Sequence, residues 1–164
     1  MALNKNIIAS IAGAVLLSTA MFTASFEGTV NKVYTDPVGR KAVCVGHDSY
    51  APDGTPLKAG AVYSDDVCSY LLGKDIKAAD DSVTRLVKVP LSVGERMAYV
   101  DFVFNVGSGA FATSTARSKL NAGDHRGACG ELLKWDKGKV RGELVTLPGL
   151  QKRRQAEYKA CIEK

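Results

Sequence analysis

Residues 26–47 read Phe26-Glu27-Gly28-Thr29-Val30-Asn31-Lys32-Val33-Tyr34-Thr35-Asp36-Pro37-Val38-Gly39-Arg40-Lys41-Ala42-Val43-Cys44-Val45-Gly46-His47. From Val30 to Val45 this is the pattern of short strands, broken by a turn at Asp36-Pro37-Val38-Gly39. Moving outward, the hydrophobic period changes. Upstream, Ile7 to Phe26 is apolar and uncharged and is expected to be helical. Downstream, Ala51 to Gly60 holds two prolines and two glycines and reads as loop. Ser64-Asp65-Asp66 then starts a helix whose apolar face runs through Val67, Leu71, Leu72, Ile76, Val83 and Leu86, with Pro90 closing it. A second helix is expected from Ser92 to Val106, with Ser92 and Glu95 at capping-box spacing and Gly107-Ser108-Gly109 ending it. Shorter helices follow at Ser114–Asn121 and Asp124–Trp135, and a last one starts near Pro148. The expected order is one helix, a small β-region, then helices to the end. That is an α+β fold with a mainly helical second lobe.

The chain of 164 residues has the length of one domain, long enough to bury a core. No internal repeat or long linker divides it. Its 46% hydrophobic and 24% charged residues argue against disorder. A net charge of +5 favours an anionic partner, whether nucleic acid, anionic lipid or an acidic wall polymer. The basic run Lys152-Arg153-Arg154 reads as a solvated helix face rather than a binding patch. No aromatic-interleaved basic motif supports nucleic-acid binding.

Lys5 precedes the 20 uncharged residues Ile7–Phe26, a length that just spans a bilayer. Ala, Gly, Ser and Thr supply 11 of the 20, and only eight are Ile, Val, Leu or Phe. At roughly −0.5 kcal/mol each, those eight contribute about −4 kcal/mol at most, so insertion is marginal. Three readings compete: a signal peptide cleaved after Ser18-Thr19-Ala20, a permanent anchor, and a weak anchor that later leaves the membrane. The weak anchor fits the composition best. Lys5 keeps the N-terminus cytoplasmic and sends the remainder outward. On release, Ile7, Ile8, Ile11, Val15, Phe22 and Phe26 are expected to cover apolar surface, with the Ser and Thr residues toward water.

Glu27 sits at the end of the apolar helix, where desolvation favours a carboxyl that keeps its proton, and Asp36 sits on a polar turn that favours the ionised form. One proton donor and one ionised carboxylate are what cleavage of a glycosidic bond requires. Two acids at this spacing are also common as surface groups, so context decides. Glu27-Gly28, Tyr34-x-Asp36-x-x-Gly39 and Cys44-x-Gly46-His47 are followed by Asp101-Phe102-Val103-Phe104-Asn105-Val106-Gly107 and Gly109-Ala110-Phe111. Lys119-Leu120-Asn121-Ala122-Gly123-Asp124, Leu132-Leu133-Lys134-Trp135 and Leu147-Pro148-Gly149-Leu150-Gln151-Lys152-Arg153-Arg154 complete the series. In this order the motifs resemble the phage-type lysozymes, or endolysins, of glycoside hydrolase family 24. The resemblance covers Glu27 to the C-terminus, with Asp48 to Pro90 poorly marked.

The resemblance implies a lysozyme-like α+β fold, with residues 1–26 a signal-anchor-release segment and 27–164 the catalytic domain. It implies a muramidase that cuts peptidoglycan between N-acetylmuramic acid and N-acetylglucosamine to lyse a host cell. Glu27 then matches the catalytic acid and Asp36 its partner, while Ala42 stands where the family usually carries threonine. Ala42 cannot hold a water through its side chain, which leaves open a slower hydrolase, an impaired wall-binding protein or a lytic transglycosylase. His47 matches a histidine behind the site and is expected to act in support, and Phe104 and Asn105 are candidates to line the sugar groove. Trp135 is expected to pack rather than stack on sugar, and Arg153 and Arg154 to pair with acids. Before release, residues 7–26 tether the chain to the inner membrane facing the periplasm, with the membrane potential a candidate trigger. With no cysteine in that segment, a disulfide swap from the anchor is not available. A monomer with no cofactor is expected.

Cys44, Cys68, Cys129 and Cys161 show no zinc-like spacing, so no metal is expected. In an exported chain they imply two disulfides, for which three pairings exist. Cys44–Cys68 and Cys129–Cys161 are expected because each ties neighbouring elements, the β-region to the next helix and the Asp124–Trp135 helix to the last one.

Overall fold

The computed structural model describes residues 13–35, 39–48 and 50–163. It has two compact units, Met1–Lys77 and Ala78–Lys164.

The first unit opens with helix α1 (Ala14–Ala24), then strands β1 (Val30–Thr35), β2 (Lys41–Cys44) and β3 (His47–Asp48). The strands form an antiparallel sheet in the order β1-β2-β3. Residues 51–60 contain no helix or strand, matching the loop read from their prolines and glycines. Helix α2 (Asp65–Leu86) begins in this unit and continues into the next. The core gathers Val33, Val43, Cys44, Leu57, Cys68 and Leu71, with Cys44 and Cys68 joined by a disulfide.

In α1, Leu16, Thr19, Ala20 and Thr23 are buried, while Leu17, Ser18 and Met21 are exposed. The expectation that its hydroxyls face water is therefore corrected for Thr19 and Thr23. Thr19 Oγ1 donates to Val15 O at 2.8 Å, and that internal bond removes most of the cost of burying a hydroxyl. Ile7, Ile8 and Ile11 lie outside the described residues. No helix among the described residues is long and apolar enough to cross a membrane.

The second unit contains helices α3 (Val93–Val106), α4 (Ser108–Ala112), α5 (Thr115–Asn121) and α6 (His125–Leu132), strands β4 (Lys137–Val140) and β5 (Glu143–Thr146), and helix α7 (Pro148–Ile162). Ser92 and Glu95 form the capping box read from their spacing: Glu95 N donates to Ser92 Oγ and Ser92 N to Glu95 Oε2. Helix α3 packs along α7, closely enough that a Cβ on Gly94 would lie 2.1 Å from Ala160 O. Cys129 of α6 is bonded to Cys161 of α7.

Two elements differ from the expected run of helices. A short helix, α4, starts directly after the glycine that ends α3, and the β4–β5 hairpin separates α6 from α7. The hairpin turns on Arg141 and Gly142, both with positive φ (52° and 89°). That is the turn geometry whose twist suits paired strands, but Arg-Gly is not the Asn-Gly or Asp-Gly signature that reveals it in a sequence.

Candidate active site

In the first unit, α1 ends at Ala24 and a turn carries the chain into the sheet. Ser25 N and Phe26 N bond back to Phe22 O and Thr23 O, each at 3.1 Å. The Phe26 ring meets Phe22 edge to face at 5.0 Å between centroids. Glu27 follows, half-buried, three residues after α1 and three before β1. Asp36 falls in the connection from Thr35 to Lys41 and lies outside the described residues.

Across the sheet, Ala42 is opposite Tyr34 of β1 and opposite Asp48 of β3. Residues directly opposite in an antiparallel ladder share a face. Ala42 is itself only 5% exposed. Its neighbours are more open, and Asp48 Oδ2 accepts from Arg40 Nη1 at 3.3 Å. His47 has an acceptor at each ring nitrogen, Asp75 Oδ2 at 2.7 Å from Nδ1 and Tyr50 O at 2.8 Å from Nε2. A neutral imidazole can donate only once, so this setting favours the cation. The Asp75 hydrogen bond is the main cause that holds His47 above its ordinary value, against burial that lowers it. The pair links the sheet to α2. Nothing in the sequence marks Asp75 as the partner, because it is 28 residues away.

The second unit holds Phe104 and Asn105, both half-buried near the end of α3. Asn105 Oδ1 accepts from Arg154 Nη2. A guanidinium only donates, which fixes the amide oxygen toward Arg154 and turns the Asn105 NH₂ away from it. The Phe104 ring lies 5.9 Å from the Arg153 guanidinium. Trp135 packs edge to face on Phe102 at 5.3 Å, and its carbonyl accepts from Arg154 Nε at 3.1 Å. Asn105, Trp135, Lys137, Leu144 and Arg154 line a cavity of about 440 Å³. Its polar side chains are donors or cations, a setting for an acceptor-rich ligand such as a sugar with acetamido carbonyls.

The basic run is not a solvated face. Only Lys152 is exposed; Arg153 and Arg154 are 3% and 1% exposed. Arg153 forms a bidentate pair with Asp101, Nε to Oδ2 at 2.9 Å and Nη2 to Oδ1 at 2.8 Å. Arg154 bonds Glu157. Burial holds the Glu157 carboxyl well above the usual carboxylate range, against the opposing pull of Arg154. Sequence reading gave the pairing with acids but not the depth, since the run's charge suggests water. Among the described residues, no group of three His, Cys, Asp or Glu side chains is placed to hold a metal.

The sequence model of the phage lysozyme family matches residues 24–157. An endolysin of Acyrthosiphon pisum secondary endosymbiont phage 1 is 40% identical over 138 residues, covering 84% of this chain and 90% of the relative. A SAR-endolysin of bacteriophage PS119 is 33% identical over 167 residues, covering 98% of this chain and 95% of the relative. Among solved structures, the muramidase domain of SpmX from Asticaccaulis excentricus superposes with a TM-score of 0.80 at 26% identity, covering 90% of this chain and 96% of that one.

Proposed function

This chain belongs to the phage lysozyme family, a lysozyme-type glycoside hydrolase of the endolysin kind, and we propose that it cuts peptidoglycan between N-acetylmuramic acid and N-acetylglucosamine with Glu27 as its acid. Glu27 gives its proton to the leaving glycosidic oxygen as the bond to the anomeric carbon breaks. Asp36 is the second carboxylate, ionised, and assists water or stabilises the cationic sugar. His47 acts in support through Asp75, and Phe104 and Asn105 contact the sugar. The observation that carries this reading is the placement of Glu27, half-buried and fixed between the end of α1 and the start of the sheet.

The test is Glu27→Gln, which keeps the shape and removes the proton. Clearing of purified peptidoglycan should fall by roughly 10²–10⁴-fold with the fold unchanged. A folded variant that clears at the parent's rate would end the proposal. Product masses separate hydrolysis from formation of anhydro ends by a transglycosylase, the chemistry that Ala42 leaves open.

For control, residues 1–26 act as a signal-anchor-release segment and 27–164 as the catalytic domain, monomeric in the periplasm after release. The buried face of α1, made by Leu16, Thr19, Ala20 and Thr23, supports this reading, because it gives the helix protein surface to cover once it has left the lipid. Glu27 follows this helix by three residues, so a membrane-inserted helix keeps the acid at the lipid surface. Leucine at Ser10, Gly13 and Ser18, leaving the buried Thr19 intact, should give an anchored, non-lytic protein. Lysis as fast as the parent's, or a mature chain that begins near Met21, would overturn the release reading.

A further inference from the structure

We infer that Arg154 is a positioning residue of the glycan site: it fixes the Asn105 amide so that the NH₂ donates to an acetamido carbonyl of the sugar, and the chain thereby selects N-acetylated strands. The inference deepens the glycosidase reading above and rests on it.

A free asparagine amide can present either branch, because its terminal torsion is broad and roughly two-fold. Here one branch is taken. Asn105 Oδ1 accepts from Arg154 Nη2, and a guanidinium has no acceptor to offer the NH₂. A reversed amide would set donor against donor. Arg154 is held in place against such a reversal, since Nε donates to Trp135 O at 3.1 Å and Nη1 to Glu157 Oε1. Its guanidinium also lies 4.8 Å over the Phe102 ring, and the residue is buried. Among the described residues no acceptor meets the Asn105 NH₂.

Asn105, Trp135 and Arg154 line the cavity of about 440 Å³ together with the apolar Val106 and Leu150. An acetamido group has two ends to satisfy, a carbonyl oxygen that accepts and a methyl that favours apolar contact. The Asn105 NH₂ answers the first, and Val106 and Leu150 answer the second. A de-N-acetylated sugar presents an amine instead, which sets a donor against the NH₂ and leaves it unpaired. Lys137 also lines the cavity, so a carboxylate of a peptide stem is the competing acceptor. The experiment separates the two.

It measures kcat/KM on peptide-free glycan strands, N-acetylated and de-N-acetylated, and takes the ratio as the preference. The parent, Asn105→Asp, Arg154→Lys and Arg154→Gln are compared, each with a thermal unfolding curve. The parent should prefer N-acetylated strands by about tenfold or more. Asn105→Asp keeps an oxygen for Arg154 but turns the other branch from donor to acceptor, so the preference should fall by about tenfold or more. Arg154→Lys retains a donor-only group and should keep the preference within about threefold. Arg154→Gln brings an amide that meets Asn105 with either branch, so the preference should fall as it does for Asn105→Asp. A merely structural Arg154 would lower Tm and the rates on both substrates alike, and leave the ratio unchanged. In the parent, di-N-acetylchitobiose should shift the NMR signals of the Asn105 NH₂, and its de-N-acetylated form should not.

The inference is overturned if the parent shows no preference, if Asn105→Asp keeps it, if a folded Arg154→Gln keeps it, or if a folded Arg154→Lys loses it. A loss in Asn105→Asp that appears only when the strands carry peptide stems assigns the donor to a stem carboxylate and overturns it too. Should Arg154→Gln fail to fold, Arg154→Lys and the NMR titration decide. The two readings fail separately: a parent that cuts no glycan strand removes both, whereas a parent that cuts them while Asn105→Asp keeps the preference removes only this one.

Discussion

Replacing Asp101 with asparagine tests the energetic role of the buried network on α7. The Asp101 and Arg153 side chains are 0% and 4% exposed and share two hydrogen bonds of 2.9 and 2.8 Å. Removing one partner of a buried pair strands the other charge, which costs about 3–5 kcal/mol. Asparagine keeps one acceptor oxygen, so the lower end, about 3 kcal/mol, is expected. Glu157 is a poor substitute partner: it lies 3.6 Å from Arg153 Nε, and its burial favours the protonated carboxyl. Against a total stability of about 5–15 kcal/mol, this is a large fraction. At roughly 2–4 °C per kcal/mol for a chain of this size, the midpoint of thermal unfolding should drop by about 6–12 °C. The assay is urea unfolding followed by the fluorescence of Trp135, the single tryptophan, whose ring packs 5.3 Å from that of Phe102 beside Asp101. Arg40→Gln, which breaks an exposed pair, is the internal reference and should cost under about 1 kcal/mol. If Asp101→Asn costs no more than Arg40→Gln, burial does not set the energetics of this network and the argument fails.

His47 should make stability depend on pH. Its folded value is raised above 6.5, so its stabilisation is complete below about that pH and fades as pH rises through the folded value. His47→Gln should therefore lose more stability at pH 5.5 than at pH 9, and a loss equal at both would contradict the Asp75 pairing. Gly94→Ala should destabilise by about 1–3 kcal/mol or more, because the new Cβ meets a backbone oxygen that cannot swing away; an unchanged urea midpoint would show that α3 and α7 separate easily. Arg141→Asn should raise stability by up to about 1 kcal/mol, since asparagine tolerates the φ of 52° better than arginine, and a lowered midpoint would argue against the turn as described.

Local chemistry made most of the elements legible. The capping box at Ser92 and Glu95, the apolar period of α2 and the proline that opens α7 are all read within one or two turns of chain, and each element is present. The β4–β5 hairpin escaped because its turn uses Arg141-Gly142 and all of β5 is exposed, so neither a turn signature nor an alternating buried face marks it. The depth of Arg153 and Arg154 escaped for a different reason. A charge looks solvated until its partner is known, and Asp101 is 52 residues away from Arg153.

The amino-acid order by itself determined the family, the α+β sequence of elements and the candidacy of Glu27, Asp36 and His47, because these rest on motifs and on periods read over short stretches. Tertiary structure decided what depends on register and burial. It placed Asp48 opposite Ala42, gave His47 an acceptor at each nitrogen, buried Thr19 and Thr23, and turned the Asn105 amide toward Arg154. A one-residue change of register would move Asp48 to the opposite face without altering any composition, period or motif. Pairings between distant segments are set by the geometry of the folded chain, and no local pattern carries that information.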